Sequence, residues 1–77
     1  MSEVKTGIYE HYKGKRYQVI DEATESDSDE TMVVYRGLYD DPKLGHHPLF
    51  VRSKKIFLEE VEVGGKRIPR FKFISTK

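Results

Sequence analysis

Turn signals interrupt this chain so often that no segment keeps the roughly 3.6-residue period of a long helix. The segment from Gly7 to Tyr12 alternates, and the Lys-Gly-Lys turn after it contains Gly14, which can take a positive φ. A second alternating segment starts at Arg16 and ends near Glu22, where an acidic stretch breaks the pattern. Residues 31–39, TMVVYRGLY, give the clearest prediction of a strand, since they are rich in β-branched and aromatic side chains.

The second half follows the same plan of short strands. Residues 40–48 carry two prolines and a glycine and predict a loop, after which LFVRS resumes a strand. Residues 53–57 predict one helical turn with Ser53 as its N-cap. Gly64 and Gly65 predict a hairpin turn, and the returning strand has Phe71 and Phe73 on one face. Five to six short strands predict an all-β fold, a small five-stranded antiparallel barrel with one short helical turn.

The length of 77 residues predicts a single domain over residues 1–77, with flexible tails at residues 1–6 and 75–77. So small a domain has no room for a cofactor-sized cavity, and we expect no cofactor. The predicted core is Val34, Leu38, Val51, Phe57 and Phe71.

The chain contains no cysteine, which excludes disulfides, thiolate chemistry and cysteine-based zinc sites. Its apolar runs are too short to span a bilayer, and the N-terminus lacks the pattern of a signal peptide. We therefore expect a cytoplasmic protein that does not bind membranes.

The net charge of +1 conceals an uneven distribution. Residues 1–38 contain five Lys or Arg and eight Asp or Glu, a balance of −3, whereas residues 39–77 contain nine and five, a balance of +4. The basic excess is interleaved with aromatic rings in KRIPRFKF, a composition that also occurs in single-stranded nucleic-acid binding. The acidic half would repel phosphate, so a nucleic-acid partner ranks second.

The sequence shows no catalytic constellation. The serines lie in the tails, the acidic loop and a strand end, without the strand-turn-helix elbow of a nucleophile. His46 and His47, near Asp40 and Asp41, have the chemistry of metal ligands, but neighbours on a loop rarely fix three or four ligands, so we expect exposed loop histidines and no metal site. An enzyme with His11 as general base ranks last.

Four ordered segments, GIYEHYKGKRYQV, VVYRGLYDD, LFVRS and IPRF, resemble a family of small bacterial proteins catalogued only as a domain of unknown function. The family's motifs are G-x-Y-x-H-Y-K-G-x-x-Y, Y-R-x-L-Y and W-V-R-P-x-x-x-F. The chain departs from them with Phe50 in place of tryptophan and Ser53 in place of proline. The resemblance implies an SH3-like β-barrel and no established activity. The matching positions are Gly7, Tyr9, His11, Tyr12, Lys13, Gly14, Tyr17, Tyr35, Arg36, Leu38, Tyr39, Val51, Arg52, Phe57, Arg70 and Phe71.

These positions include polar residues that a hairpin alone does not require. Two arginines in neighbouring strands repel each other unless they are solvated or bridged by an anion. We therefore predict a binding module for a peptide or a small anionic ligand, provided that both arginines lie on one face. The alternative is that Glu10 or Glu59 bridges them and that the other polar groups only satisfy the fold. The candidate ligand-binding residues are Tyr9, His11, Arg36, Tyr39 and Arg52.

Overall fold

The computed structural model describes residues 4–77. They form nine short strands and one helical turn. The elements are β1 Gly7–His11, β2 Arg16–Thr24, β3 Thr31–Gly37, β4 Asp40–Asp41, β5 Gly45–His46, β6 Leu49–Ser53, α1 Lys54–Phe57, β7 Glu60–Val63, β8 Lys66–Pro69 and β9 Phe71–Ser75.

Five of the strands form one antiparallel sheet in the order β6-β3-β2-β1-β9. The β1–β2 connection is the predicted tight turn, in which Gly14 has φ +108° and the His11 N–H donates to the Lys15 carbonyl at 2.8 Å. The predicted Gly64–Gly65 turn joins β7 to β8, and both glycines have positive φ. The prediction of an all-β, antiparallel fold is confirmed.

The predicted closed barrel is not found within residues 4–77. Closure requires the two edges of the sheet to pair, and β6 and β9 remain at opposite ends of the strand order. Two further strand pairs, β4–β5 and β7–β8, form separate two-stranded sheets. The chain therefore divides its short strands among an open sheet and two hairpins, and the SH3-like description stays a prediction.

One face of the sheet, here the inner face, carries the core. Cross-strand pairs place Val19 opposite Tyr35 and His11 opposite Phe71 on this face. Ser53 caps α1 as predicted, since its Oγ accepts the Ile56 N–H at 3.1 Å. The cap fixes the turn that places Phe57 over the inner face. The buried apolar residues are Val4, Tyr9, Val19, Val33, Tyr35, Phe57 and Phe71.

The predicted core is correct for Phe57 and Phe71 and wrong for the other three residues. Val51 is 61% exposed, and Val34 and Leu38 are only partly buried. Val34 pairs with Val51 on the opposite, outer face of the sheet, whereas Val33 is fully buried on the inner face. Both faces of β3 are apolar, so the alternation alone did not identify the face that α1 covers.

Two residues of the predicted N-terminal tail contact the folded domain. Val4 belongs to the core, and the Lys5 carbonyl accepts a hydrogen bond from the Tyr9 hydroxyl at 2.8 Å. Residues 1–3 of that tail lie outside the described residues. At the other end, Ser75 still pairs with Ile8, so β9 extends into the predicted C-terminal tail. No helix in residues 4–77 has the length and apolar character needed to cross a membrane.

Candidate functional site

The inner face has two ends that differ in exposure. At one end, which we call the covered end, Phe57 of α1 is buried and packs edge-on against the buried ring of Tyr9, with centroids 5.5 Å apart. At the other, which we call the open end, aromatic and cationic side chains are only partly buried. The open end consists of His11, Tyr17, Tyr39, Phe50 and Arg52.

Phe71 joins the two ends. Its ring stacks on Phe57 with centroids 4.2 Å apart, while the His11 ring meets it edge-on at 4.9 Å. The Arg52 guanidinium lies 5.7 Å from the centre of the same ring, within cation-π range. A buried aromatic ring therefore positions the histidine and arginine of the open end.

Arg52 is a cation without a counter-ion among the described residues. Its Nε donates to the Tyr35 hydroxyl at 3.2 Å, and the ion pairs within residues 4–77 involve other cations. Glu59, one of the two predicted bridging acids, instead pairs with Arg70 at 3.3 Å. Glu10, the other, lies on the outer face opposite Lys72. The charge of Arg52 is thus left to solvent or to a ligand.

His11 lies in the positive field of its neighbours. Partial burial lowers its pKa, and the nearby Arg52, Arg70 and Lys13 lower it further. Its Nδ1 accepts the Lys13 N–H at 3.2 Å, so the neutral ring carries its proton on Nε2. These effects favour the neutral imidazole, whose Nε2–H is a hydrogen-bond donor.

Two tyrosines of the open end are joined by a hydrogen bond. The hydroxyls of Tyr17 and Tyr39 are 3.1 Å apart. The pKa of Tyr17 is raised mainly by burial and, to a smaller extent, by this hydrogen bond. The ammonium group of Lys15 lies 4.3 Å from the centre of the Tyr39 ring. Gly37 allows that ring to lie against the backbone, because a Cβ there would come within 2.7 Å of it.

The structure separates the predicted site residues into two groups. His11 and Arg52 both contact the Phe71 ring at the open end, and Tyr39 packs on Tyr17, which in turn contacts Phe71. Tyr9 is buried deeper on the same face, and Arg36 lies on the outer face, where its Nη1 donates to the His47 carbonyl at 3.1 Å. The requirement that both arginines share one face is not met.

Sequence reasoning did not select two members of the open end, Tyr17 and Phe50. Tyr17 pairs with Tyr9 across the β1–β2 hairpin, and Phe50 pairs with Tyr35 across β3 and β6. The Gly14 turn determines which residues of β1 and β2 face each other, so the position of Tyr17 could have been predicted from the sequence. The β3–β6 register depends on residues 38–48, so no local turn predicted the position of Phe50.

A groove of about 490 Å³ adjoins the open end and shares His11 with it. It lies between the β1–β2 turn and β8, and several of its walls are apolar. The groove provides space beside the histidine for a side chain or a short peptide segment. Its lining residues are Glu10, His11, Tyr12, Gly14, Ile68, Pro69 and Lys72.

Fewer cations and rings of the basic stretch at residues 66–73 are available to a ligand than its composition suggests. Arg67 pairs with Glu60 at 3.2 Å, and Arg70 pairs with Glu59. Phe71 is buried and therefore not available for stacking, whereas Phe73 is 36% exposed. Half of the cations and aromatic rings in this stretch are thus engaged within the chain.

Comparison with known proteins gives a family without an assigned activity. Residues 7–73 match the family described as a protein of unknown function, DUF1653. A crystal structure of a DUF1653 protein from Bordetella bronchiseptica is 35% identical, with a TM-score of 0.84, and the alignment covers 94% of this chain and 88% of that one. The curated proteins include no match. The resemblance predicted from the sequence is confirmed.

Proposed function

We propose that this chain, which belongs to the DUF1653 family of proteins of unknown function, is a module that binds a carboxylate-bearing ligand at its open end. The observation that carries this proposal is the state of Arg52, a half-buried cation among aromatic rings with no acidic partner in residues 4–77. Such a guanidinium gains most from a planar anion, which it can contact with two parallel hydrogen bonds.

The neighbours of Arg52 favour the same ligand. The Nε2–H of His11 is a second donor, and Lys13 adds positive potential near it. Tyr39 and Phe50 are partly exposed rings that can pack against an apolar or aromatic group attached to the anion. The groove beside His11 accommodates a further part of a peptide.

Binding is favoured over catalysis because no described residue prepares His11 for proton transfer. An acidic group that orients a histidine raises its basicity, whereas the groups facing His11 are cations that lower its pKa. Single-stranded nucleic acid remains the alternative ligand. It has less support, because the internal ion pairs of Arg67 and Arg70 reduce the free charge of the basic stretch.

The test is a chemical-shift titration of the ¹⁵N-labelled protein with N-acetylphenylalanine. Its matched control is N-acetylphenylalanine amide, which has the same ring and no charge. The proposal predicts that the acid shifts the resonances of His11, Tyr39 and Arg52 and that the amide shifts them much less. Equal shifts from both compounds, or shifts confined to the outer face, contradict it.

Inorganic phosphate and oligo-dT complete the titration. Shifts from oligo-dT along residues 66–73, without an effect of the carboxylate at the open end, favour the nucleic-acid alternative. The predicted cytoplasmic location is part of this proposal, and fractionation of cells producing the untagged protein tests it.

A further inference from the structure

Residues 40–48, predicted as a loop, contain a second group of side chains with possible ligand atoms, none of which belongs to the open end. Residues 40–46 form the β4–β5 hairpin, in which Asp40 pairs with His46 and Asp41 with Gly45. The Asp41 carboxylate accepts the N–H groups of Lys43 and Leu44 at 2.8 and 3.0 Å and closes the turn. The hairpin therefore fixes the backbone on which Asp40 and His46 stand.

His47 is held against the main sheet. Its N–H donates to the Tyr39 carbonyl at 3.0 Å, and its carbonyl accepts from Arg36 at 3.1 Å. The residue has φ +46°, a conformation that a histidine adopts only where its surroundings impose it. The direction in which its imidazole leaves the backbone is thus determined by the fold.

The three side chains converge. The His46 Nδ1 and Asp40 Oδ1 atoms are 2.6 Å apart, and the rings of His46 and His47 stack with centroids 3.8 Å apart. One ligand atom from each of Asp40, His46 and His47 lies within 4.8 Å of the others. Ligand atoms about 2.0–2.2 Å from a tetrahedral ion are about 3.3–3.6 Å apart, a spacing that small rotations of these side chains reach.

From this arrangement we infer that Asp40, His46 and His47 form a binding site for a divalent transition-metal cation of the zinc type. Two imidazoles and one carboxylate suit Zn²⁺, Ni²⁺ or Cu²⁺, whereas Mg²⁺ and Ca²⁺ prefer sites built mainly from oxygen ligands. Three protein ligands leave the remaining position to water. This inference differs from the sequence-based expectation of exposed loop histidines without a metal site. That expectation did not take into account the β4–β5 pairing, which places Asp40 opposite His46.

Zinc titration of the protein without a histidine tag tests the site. We expect one Zn²⁺ per chain by calorimetry, with shifts of the imidazole nitrogens of His46 and His47. His11, the third histidine of the chain, serves as the internal control and keeps its imidazole resonances unchanged. Mg²⁺ and Ca²⁺ at the same concentrations produce no such shifts.

Substitutions make the assignment specific. Asp40→Asn, His46→Gln and His47→Asn each weaken zinc binding by at least about tenfold, since even partners that only orient a metal ligand contribute that much. Asparagine is chosen at position 47 because it tolerates a positive φ. Glu62→Gln removes one exposed negative charge elsewhere and leaves the affinity unchanged. The inference is overturned if zinc does not bind up to about 1 mM, a threshold for weak affinity, if it binds at His11, or if His46→Gln retains the affinity.

Discussion

The covered end and the open end of the inner face contain the same kinds of side chain but differ in how deeply these side chains are buried. At the covered end, Phe57 is 2% exposed and stacks on Phe71 beneath a capped helical turn. At the open end, Phe50 remains partly exposed near Arg52, a cation that has no acidic partner in the described part of the chain. Aromatic composition alone therefore does not distinguish the two ends. The proposed binding site rests on the combination of partly exposed rings with a cation that has no acidic partner among residues 4–77.

Loss of a ring at the covered end has the largest expected effect. Phe57→Ala removes a fully packed ring and should lower the free energy of unfolding by about 3–5 kcal/mol. Urea unfolding measures this loss, and Phe57→Leu provides a milder variant if the alanine protein does not fold. The matched change at the open end, Phe50→Ala, should cost clearly less, because that ring is only partly buried. Equal costs would remove the distinction between the two ends.

Gly37→Ala disturbs the open end alone. A Cβ at this position meets the Tyr39 ring at 2.7 Å, so the ring must move and its hydroxyl must leave Tyr17. Overpacking of this kind costs about 1–3 kcal/mol. Unfolding and the ring resonances of Tyr39 report the change. In the double variant with Tyr39→Ala most of the cost of the added methyl group should disappear, and an unchanged cost would assign the effect to the backbone.

The pH dependence at His11 is the smallest of the expected stability effects. Burial and the neighbouring cations hold its pKa in the folded protein below the value of about 6.5 expected when unfolded. The folded state therefore binds fewer protons, and stability that is complete above about pH 6.5 is lost as the pH falls through the folded-state pKa.

Urea unfolding of the wild type and of His11→Gln at several pH values isolates this contribution. The difference in free energy between the two proteins should shrink as the pH is lowered from 7 to 5. A difference that does not vary with pH contradicts the position assigned to His11 among Arg52, Arg70 and Lys13.

Local sequence signals predicted the parts of the fold that are fixed by a few neighbouring residues. The Gly14 turn, the Ser53 cap and the Gly64–Gly65 turn appear where the pattern placed them. Each depends on a backbone preference or on one hydrogen bond within four residues. These signals were sufficient for the class of fold and for the β1–β2 hairpin that carries His11.

The faces and edges of the sheet required information that is not local. Arg36 and Arg52 were expected on one face, but the β3–β6 register pairs Arg36 with Leu49 and Arg52 with Val33. That register depends on the β4–β5 hairpin between the two strands. Each strand of this hairpin has only two residues, too few to show an alternating pattern in the sequence. The members of the predicted site are therefore divided between the two faces of the sheet, with Arg36 on the outer face and Arg52 on the inner face.

The measurement that tests the central claim most directly compares Arg52→Gln with Arg36→Gln. Both changes remove one guanidinium from the same sheet, and each guanidinium donates one hydrogen bond to an uncharged oxygen within the described residues. The affinity for N-acetylphenylalanine should fall by roughly 10- to 100-fold in Arg52→Gln, as expected for hydrogen bonds to a charged group. It should stay within about twofold of the wild type in Arg36→Gln, because a separated outer-face charge contributes little through water. Equal losses in the two variants, or an unchanged affinity in Arg52→Gln, would contradict the assignment of the open end as the binding site.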